Sequence, residues 1–123
     1  MIVYLAKWRE DLGMPENIVI CHYRPRADAV DELLDLIREH RREYREVGLA
    51  TERPEQVYVG HEQRGGEPLV IAIFEWIDAE ASSRAHTHPK IAAMWERMDA
   101  LCESRDGRPG LEFPHFAEPE VVP

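Results

Sequence analysis

The sequence predicts one α+β domain in the order β-α-β-β-α-β, an antiparallel sheet with its helices on one face. Three observations carry that expectation. Segments 30–47 and 91–102 repeat apolar residues at helical spacing. Runs rich in β-branched residues, at 18–24, 56–62 and 69–76, alternate with them. Glycine and proline stand at the junctions. The 123 residues suit one domain and are too few for two ordinary ones.

Residues 1–17 read as an N-terminal extension whose structure stays open. Residues 2–6 read as a candidate short strand, Met14-Pro15 breaks what precedes it, and Met14 offers an alternative translation start. Strand one spans 18–24 and stops at Pro25. Asp28 then offers an N-cap, with Asp31 in the place of a capping-box acid. Val30, Leu33, Leu34, Ile37, Tyr44 and Val47 form the apolar stripe of a long helix, and Gly48 ends it. Its other face carries Glu32, Arg38, Glu39, Arg42, Glu43 and Arg45. Strand two follows Pro54, and Gly65-Gly66 marks a hairpin loop before strand three. Asp78 is placed to cap a short helix over 79–86. His88-Pro89 interrupts it, and Pro89 opens another helix with Ile91, Met94, Trp95, Met98, Leu101 and Cys102 as its buried stripe. A last strand over 111–117 contains Pro114, which suits a sheet edge. Residues 118–123 read as an irregular tail.

This order is the split βαβ, ferredoxin-like arrangement over 18–117. Right-handed crossovers put strands one and three at the centre of the sheet and strands two and four at its edges. Helices on one face leave the other bare, and a wet face should alternate with polar residues. Strand three does not: Leu69, Ile71 and Ile73 point one way, and Val70, Ala72, Phe74 and Trp76 the other. Such a surface predicts a homodimer closed through the sheet face, or else cover supplied by residues 1–17.

The formal net charge is −9, and the thirteen arginines and two lysines are interleaved with acids. That pattern is a solvated, salt-bridged surface and excludes nucleic acid as an expected partner. No apolar run nears the ~20 residues that span a bilayer. The apolar start lacks a basic leader, so the expectation is a cytoplasmic protein with no membrane partner. Cys21 and Cys102 lie in apolar stretches and read as buried free thiols, able to pair only if strand and helix bring them together.

Phe74-Glu75-Trp76, then Asp78-Ala79-Glu80-Ala81, His86 and Pro89, resembles the antibiotic-biosynthesis-monooxygenase-like (ABM-like) branch of the dimeric α/β-barrel superfamily. The resemblance covers 18–117 by element order, with its sequence support in 74–95. It implies the dimeric barrel. Its relatives include cofactor-independent oxygenases acting on polycyclic phenols, haem-degrading enzymes, isomerases and dehydratases. The haem-degrading members use an Asn on strand one with a Trp and a His on the second helix. Here Asn17 lies just before strand one, and the helix positions fall near Ala85 or His86 and near Trp95, so haem degradation is not implied.

His86-Thr87-His88 is the most suggestive cluster. Alternating histidines suit metal ligation with Glu75 or His22, a pocket acid/base role, or a solvent-facing one. No carboxylate has fixed spacing to them, so no metal is assigned. His86 is the first proton-handling candidate and His22, mid-strand beside Ile18 and Ile20, the second. Trp76, Trp95 and Phe74 are expected to wall a cleft between helices and sheet, with Tyr23, Tyr58 and His88 as further binding groups. His88 alternatively caps the helix opened by Pro89. His40 and His115 read as peripheral and His61 as solvated. The chain lacks a phosphate loop, a G-x-S-x-G elbow and H-E-x-x-H. The expected function is binding of a small apolar or aromatic ligand without a cofactor. Its specific form is a cofactor-independent monooxygenase, and the rival is a non-catalytic binding or dimerisation module.

Overall fold

The computed structural model describes residues 16–117 and 122. The candidate strand at 2–6, the break at Met14-Pro15 and, of the tail over 118–123, residues 118–121 and 123 lie outside the described residues. The elements are β1 (Asn17–Tyr23), α1 (Val30–Glu46), β2 (Gln56–His61), β3 (Pro68–Glu75), α2 (Ala81–His86), α3 (Pro89–Leu101), β4 (Leu111–Glu112) and β5 (His115–Ala117). The antiparallel sheet runs β2-β3-β1-β4, with β5 also on β1. β1 and β3 therefore hold the centre, as the crossover rule requires.

The last strand is broken rather than continuous. Proline at 114 has no N–H, yet its carbonyl accepts from Ile20 N–H at 3.0 Å, so the edge stays attached while the ladder skips Phe113 and Pro114. β1 also starts one residue earlier than expected, at Asn17, which is buried.

Strand parity divides the sheet. Val19, Cys21 and Tyr23 of β1 and Val70, Ala72 and Phe74 of β3 are buried on the helix side, as is Trp76 just beyond β3. Ile18, Ile20, His22, Leu69, Ile71 and Ile73 face the opposite way and stay partly exposed. Tyr58 of β2 pairs with Ile71 and joins that bare face, 56% exposed.

The α1 stripe differs from expectation in a useful way. Leu33, Leu36, Ile37, His40 and Tyr44 are buried, whereas Val30 is partly exposed and Val47 is exposed. The true spacing, i, i+3, i+4, i+7, i+11, is helical throughout, but a histidine occupies one core position. Asp28 does not cap the helix: Ala29 is the N-cap without a side-chain bond, and Asp28 lies 3.8 Å from Arg26. Gly48 adopts φ +73° beyond the C-terminus, the left-handed turn that glycine enters freely. α2 begins at Ala81 rather than 79, because Asp78 Oδ1 accepts from Glu80 N–H and holds 78–80 as a turn. Burying each Leu or Ile of this core contributes roughly 1.5–3 kcal/mol.

Arginines clamp the hairpin end of the sheet to the loop after α3. Arg105, 9% exposed, donates to the carbonyls of Pro68 (2.6 Å) and Pro25 (2.5 Å). Arg24 donates to Pro109 and pairs with Glu112. Arg108 forks onto Glu62 at 3.0 and 3.1 Å, with Arg24 and Arg105 within 4.0 Å of the same carboxylate. The Arg108 hydrogen bonds lead in holding Glu62 below the usual carboxylate range.

Candidate functional site

A cavity of about 190 Å³ lies between the helix side of the sheet and the three helices. β1 supplies Val19 and Cys21 to its wall, and the end of β3 supplies Phe74 and Trp76. His40 and Tyr44, one turn apart on α1, and Ser82 and His86, one turn apart on α2, converge from above. Trp95 of α3 and Phe113, set in the break between β4 and β5, complete it. Tyr44 packs on Phe74 and Trp76 at ring separations of 5.3 and 4.7 Å, and Phe74 meets Trp76 edge-on at 4.8 Å.

The polar atoms in this wall are organised around Trp95. Its indole N–H is shared between His40 Nε2 at 2.6 Å and Tyr44 Oη at 2.9 Å. Burial pushes His40 down to about 3, so the imidazole stays neutral and its proton sits on Nδ1. Burial likewise drives the Tyr44 phenol well above its usual range and Cys21 up to about 12, leaving the thiol protonated and unreactive at neutral pH. The wall is apolar and uncharged. His86 sits exposed at the mouth, edge-on to Trp95 at 4.6 Å, and makes no hydrogen bond among the described residues.

The structure brings together His86, Phe74, Trp76 and Trp95. It separates the rest. His22 and Tyr58 are on the bare face, because the pleat sends alternate side chains to opposite sides. Tyr23 is buried on the same side of β1 as Cys21 but does not line the cavity. His88 caps α3 instead, its Nδ1 accepting from Ile91 N–H at 3.4 Å. His40, expected at the periphery, is 3% exposed and central. Among the described residues no three of His, Cys, Asp and Glu cluster as a metal site, and both cysteines are free. Tyr44 was visible in the sequence only as a stripe residue. Its pairing with His40 at i, i+4 was the available signal, since both fall on the apolar face.

His40 and the buried Glu55, whose carboxyl burial pushes up to about 7 against Arg41 and Arg45, titrate in opposite senses. The folded value of His40 lies below its ordinary 6.5, so the stability it contributes is present above 6.5 and is lost as pH falls towards 3. Glu55 is raised from 4.5, so it favours the fold most below 4.5, and that contribution is lost as pH rises towards 7. The slopes offset between about pH 7 and 4.5. On acidification across that window, His40→Gln, which keeps an acceptor for Trp95, is expected to gain roughly 2–3 kcal/mol. Glu55→Gln is expected to lose a similar amount. Denaturant titrations at the two pH values, with the unsubstituted protein nearly flat, check the signs.

No protein-family model matches the sequence, and no curated protein does. Solved structures do match its fold. The chain superposes on an antibiotic biosynthesis monooxygenase with a TM-score of 0.60 at 20% identity, covering 87% of this chain and 99% of that one. A dimeric ferredoxin-like protein of unknown function from Jannaschia sp. CCS1 matches at 0.55 and 16% identity, covering 85% and 98%. A NIPSNAP family protein from Agrobacterium tumefaciens str. C58 matches at 0.54 and 18%, covering 87% and 96%. The β-α-β-β-α-β order, the four-position sheet and these superpositions agree: the chain has a ferredoxin-like fold, similar to that of these solved structures.

Proposed function

We propose that this protein binds a small apolar or aromatic molecule in the Trp76–Trp95 cavity, as a homodimer closed through the bare sheet face. The observation that carries the binding reading is the cavity wall itself: five aromatic side chains with few polar groups, and no Asp, Glu, Lys or Arg among its lining residues. Pockets of that composition favour ligands that bring no charge. The sheet's half-exposed isoleucines and the dimeric description of one fold neighbour support the pairing.

The specific reaction this site suits is cofactor-independent oxygenation. One base removes a C–H proton from an electron-rich ring system; the carbanion gives its electrons to dioxygen and forms a C–O bond, and the resulting hydroperoxide loses water, which leaves one oxygen atom on the oxidised substrate as a carbonyl. Histidine is the residue type suited to that role, and His86 stands at the mouth. A second reading rests on the same residue. His86 has no hydrogen-bonded partner to orient it, which favours a binding module without chemistry.

A thermal-shift series with neutral and phenolic aromatics separates these readings. The proposal expects stabilisation by ring compounds, lost in Trp95→Ala. Oxygen uptake with a polycyclic phenol and no added cofactor, abolished in His86→Ala while binding persists, identifies the oxygenase. Binding without uptake identifies the module, and no stabilisation by any ring compound contradicts both.

A further inference from the structure

We propose that a second hollow, on the β2 side of α1, binds a small α-amino acid with an apolar side chain. The hollow measures about 230 Å³ and is lined by Leu34, Ile37, Arg38 and Arg41 of α1 with Glu55 and Val57 of the β2 segment. Its floor is the Glu55 side chain, 4% exposed, whose Oε1 has no hydrogen-bond donor. The nearest cation, Arg41 Nη1, stands 3.7 Å away, beyond hydrogen-bond reach. A buried carboxylate oxygen without a donor is costly and rare, and it calls for a group that is not part of the chain.

The neighbours define that group. Arg41 and the more exposed Arg38 sit on the rim, and Arg38 spends one terminal nitrogen on Asp35 at 2.9 Å. An anion alone would meet the arginines and be repelled by Glu55. A cation alone would meet the reverse. A molecule with an ammonium and a carboxylate on one carbon satisfies both, the ammonium donating to Glu55 Oε1 and the carboxylate accepting from Arg41 and Arg38. Leu34, Ile37 and Val57 form the remaining wall and suit an aliphatic side chain. A cavity of about 150 Å³ holds benzene, so this one takes a side chain of the size of valine or leucine. The inference is independent of the aromatic cavity, which α1 lines with His40 and Tyr44.

Calorimetric titration with L-valine tests it, beside isovalerate, which lacks the ammonium, and isobutylamine, which lacks the carboxylate. Valine is expected to bind, both analogues to bind at least tenfold more weakly, and Glu55→Gln or Arg41→Gln to lose tenfold or more. Because the ammonium needs ionised Glu55, affinity is expected to fall about tenfold per pH unit below about 7 and to level off above it. The charged groups acting on Glu55 are Arg41 and Arg45, with Arg38 on the rim. Cys21, Tyr23 and Tyr44, on which its charge acts in turn, stay protonated across this range. No heat with millimolar valine overturns the proposal, as does binding that isovalerate matches or that Glu55→Gln retains. If that variant fails to fold, the pH profile and the two analogues decide the matter on the unsubstituted protein.

Discussion

Replacing Ile71 with aspartate is expected to convert the proposed dimer to a folded monomer. Ile71 is central on the bare face, flanked in register by His22 on one side and Tyr58 on the other. In the proposed dimer, two-fold symmetry would place two copies of the substitution in one seam, where an unpaired carboxylate costs several kcal/mol to bury. In the monomer the same side chain is partly wet, so the domain itself is expected to lose little. Sedimentation at micromolar concentration checks this, with the sedimenting mass halving and the circular dichroism unchanged. Ala72→Asp, one residue along and 1% exposed beneath the helices, should instead unfold the chain.

The second large effect lies at the other end of the molecule. Arg105→Met is expected to destabilise the fold by about 3–5 kcal/mol, the range for breaking a buried, charge-assisted network. Methionine keeps much of the volume but leaves the carbonyls of Pro25 and Pro68 without their donor. It also removes one cation from beside Glu62, which is then held by Arg24 and Arg108. Denaturant unfolding of Arg105→Met beside Arg64→Met, an exposed position, measures the difference. The second variant should stay within about 0.5 kcal/mol of the unsubstituted protein.

The contrast between those positions shows where sequence reading works. The central strands and the helices follow from periodicity, and the two-sided greasiness of β3 is plain in the order Leu69 to Trp76. Phe74, Trp76, Trp95 and His86 could be anticipated together because they cluster where β3 exits and the following helices begin. Arg105 could not. It lies 37 residues from Pro68 and 80 from Pro25, and its partners are backbone carbonyls, which carry no side-chain signature. His40 was hidden differently. Its residue type reads as peripheral, yet an imidazole that accepts an indole N–H is satisfied in a core. Asp28 erred the other way: the residue type suits a cap, but Ala29 occupies the cap position and Asp28 sits before it. For His22 and Tyr58 the pleat was not enough: the cross-strand register that pairs both with Ile71 sets them opposite Trp76, and periodicity within one strand does not reveal it.

The aromatic cavity is tested most directly by the indole N–H signal of Trp95 during titration with a neutral aromatic such as 1-naphthol. Occupation of the space beside His40 and Tyr44 is expected to move that signal and that of Trp76, leaving the methyl group resonances of Ile71 and Ile73 in place. Movement of the isoleucine methyls with a still Trp95 would put the ligand on the bare sheet and contradict the site.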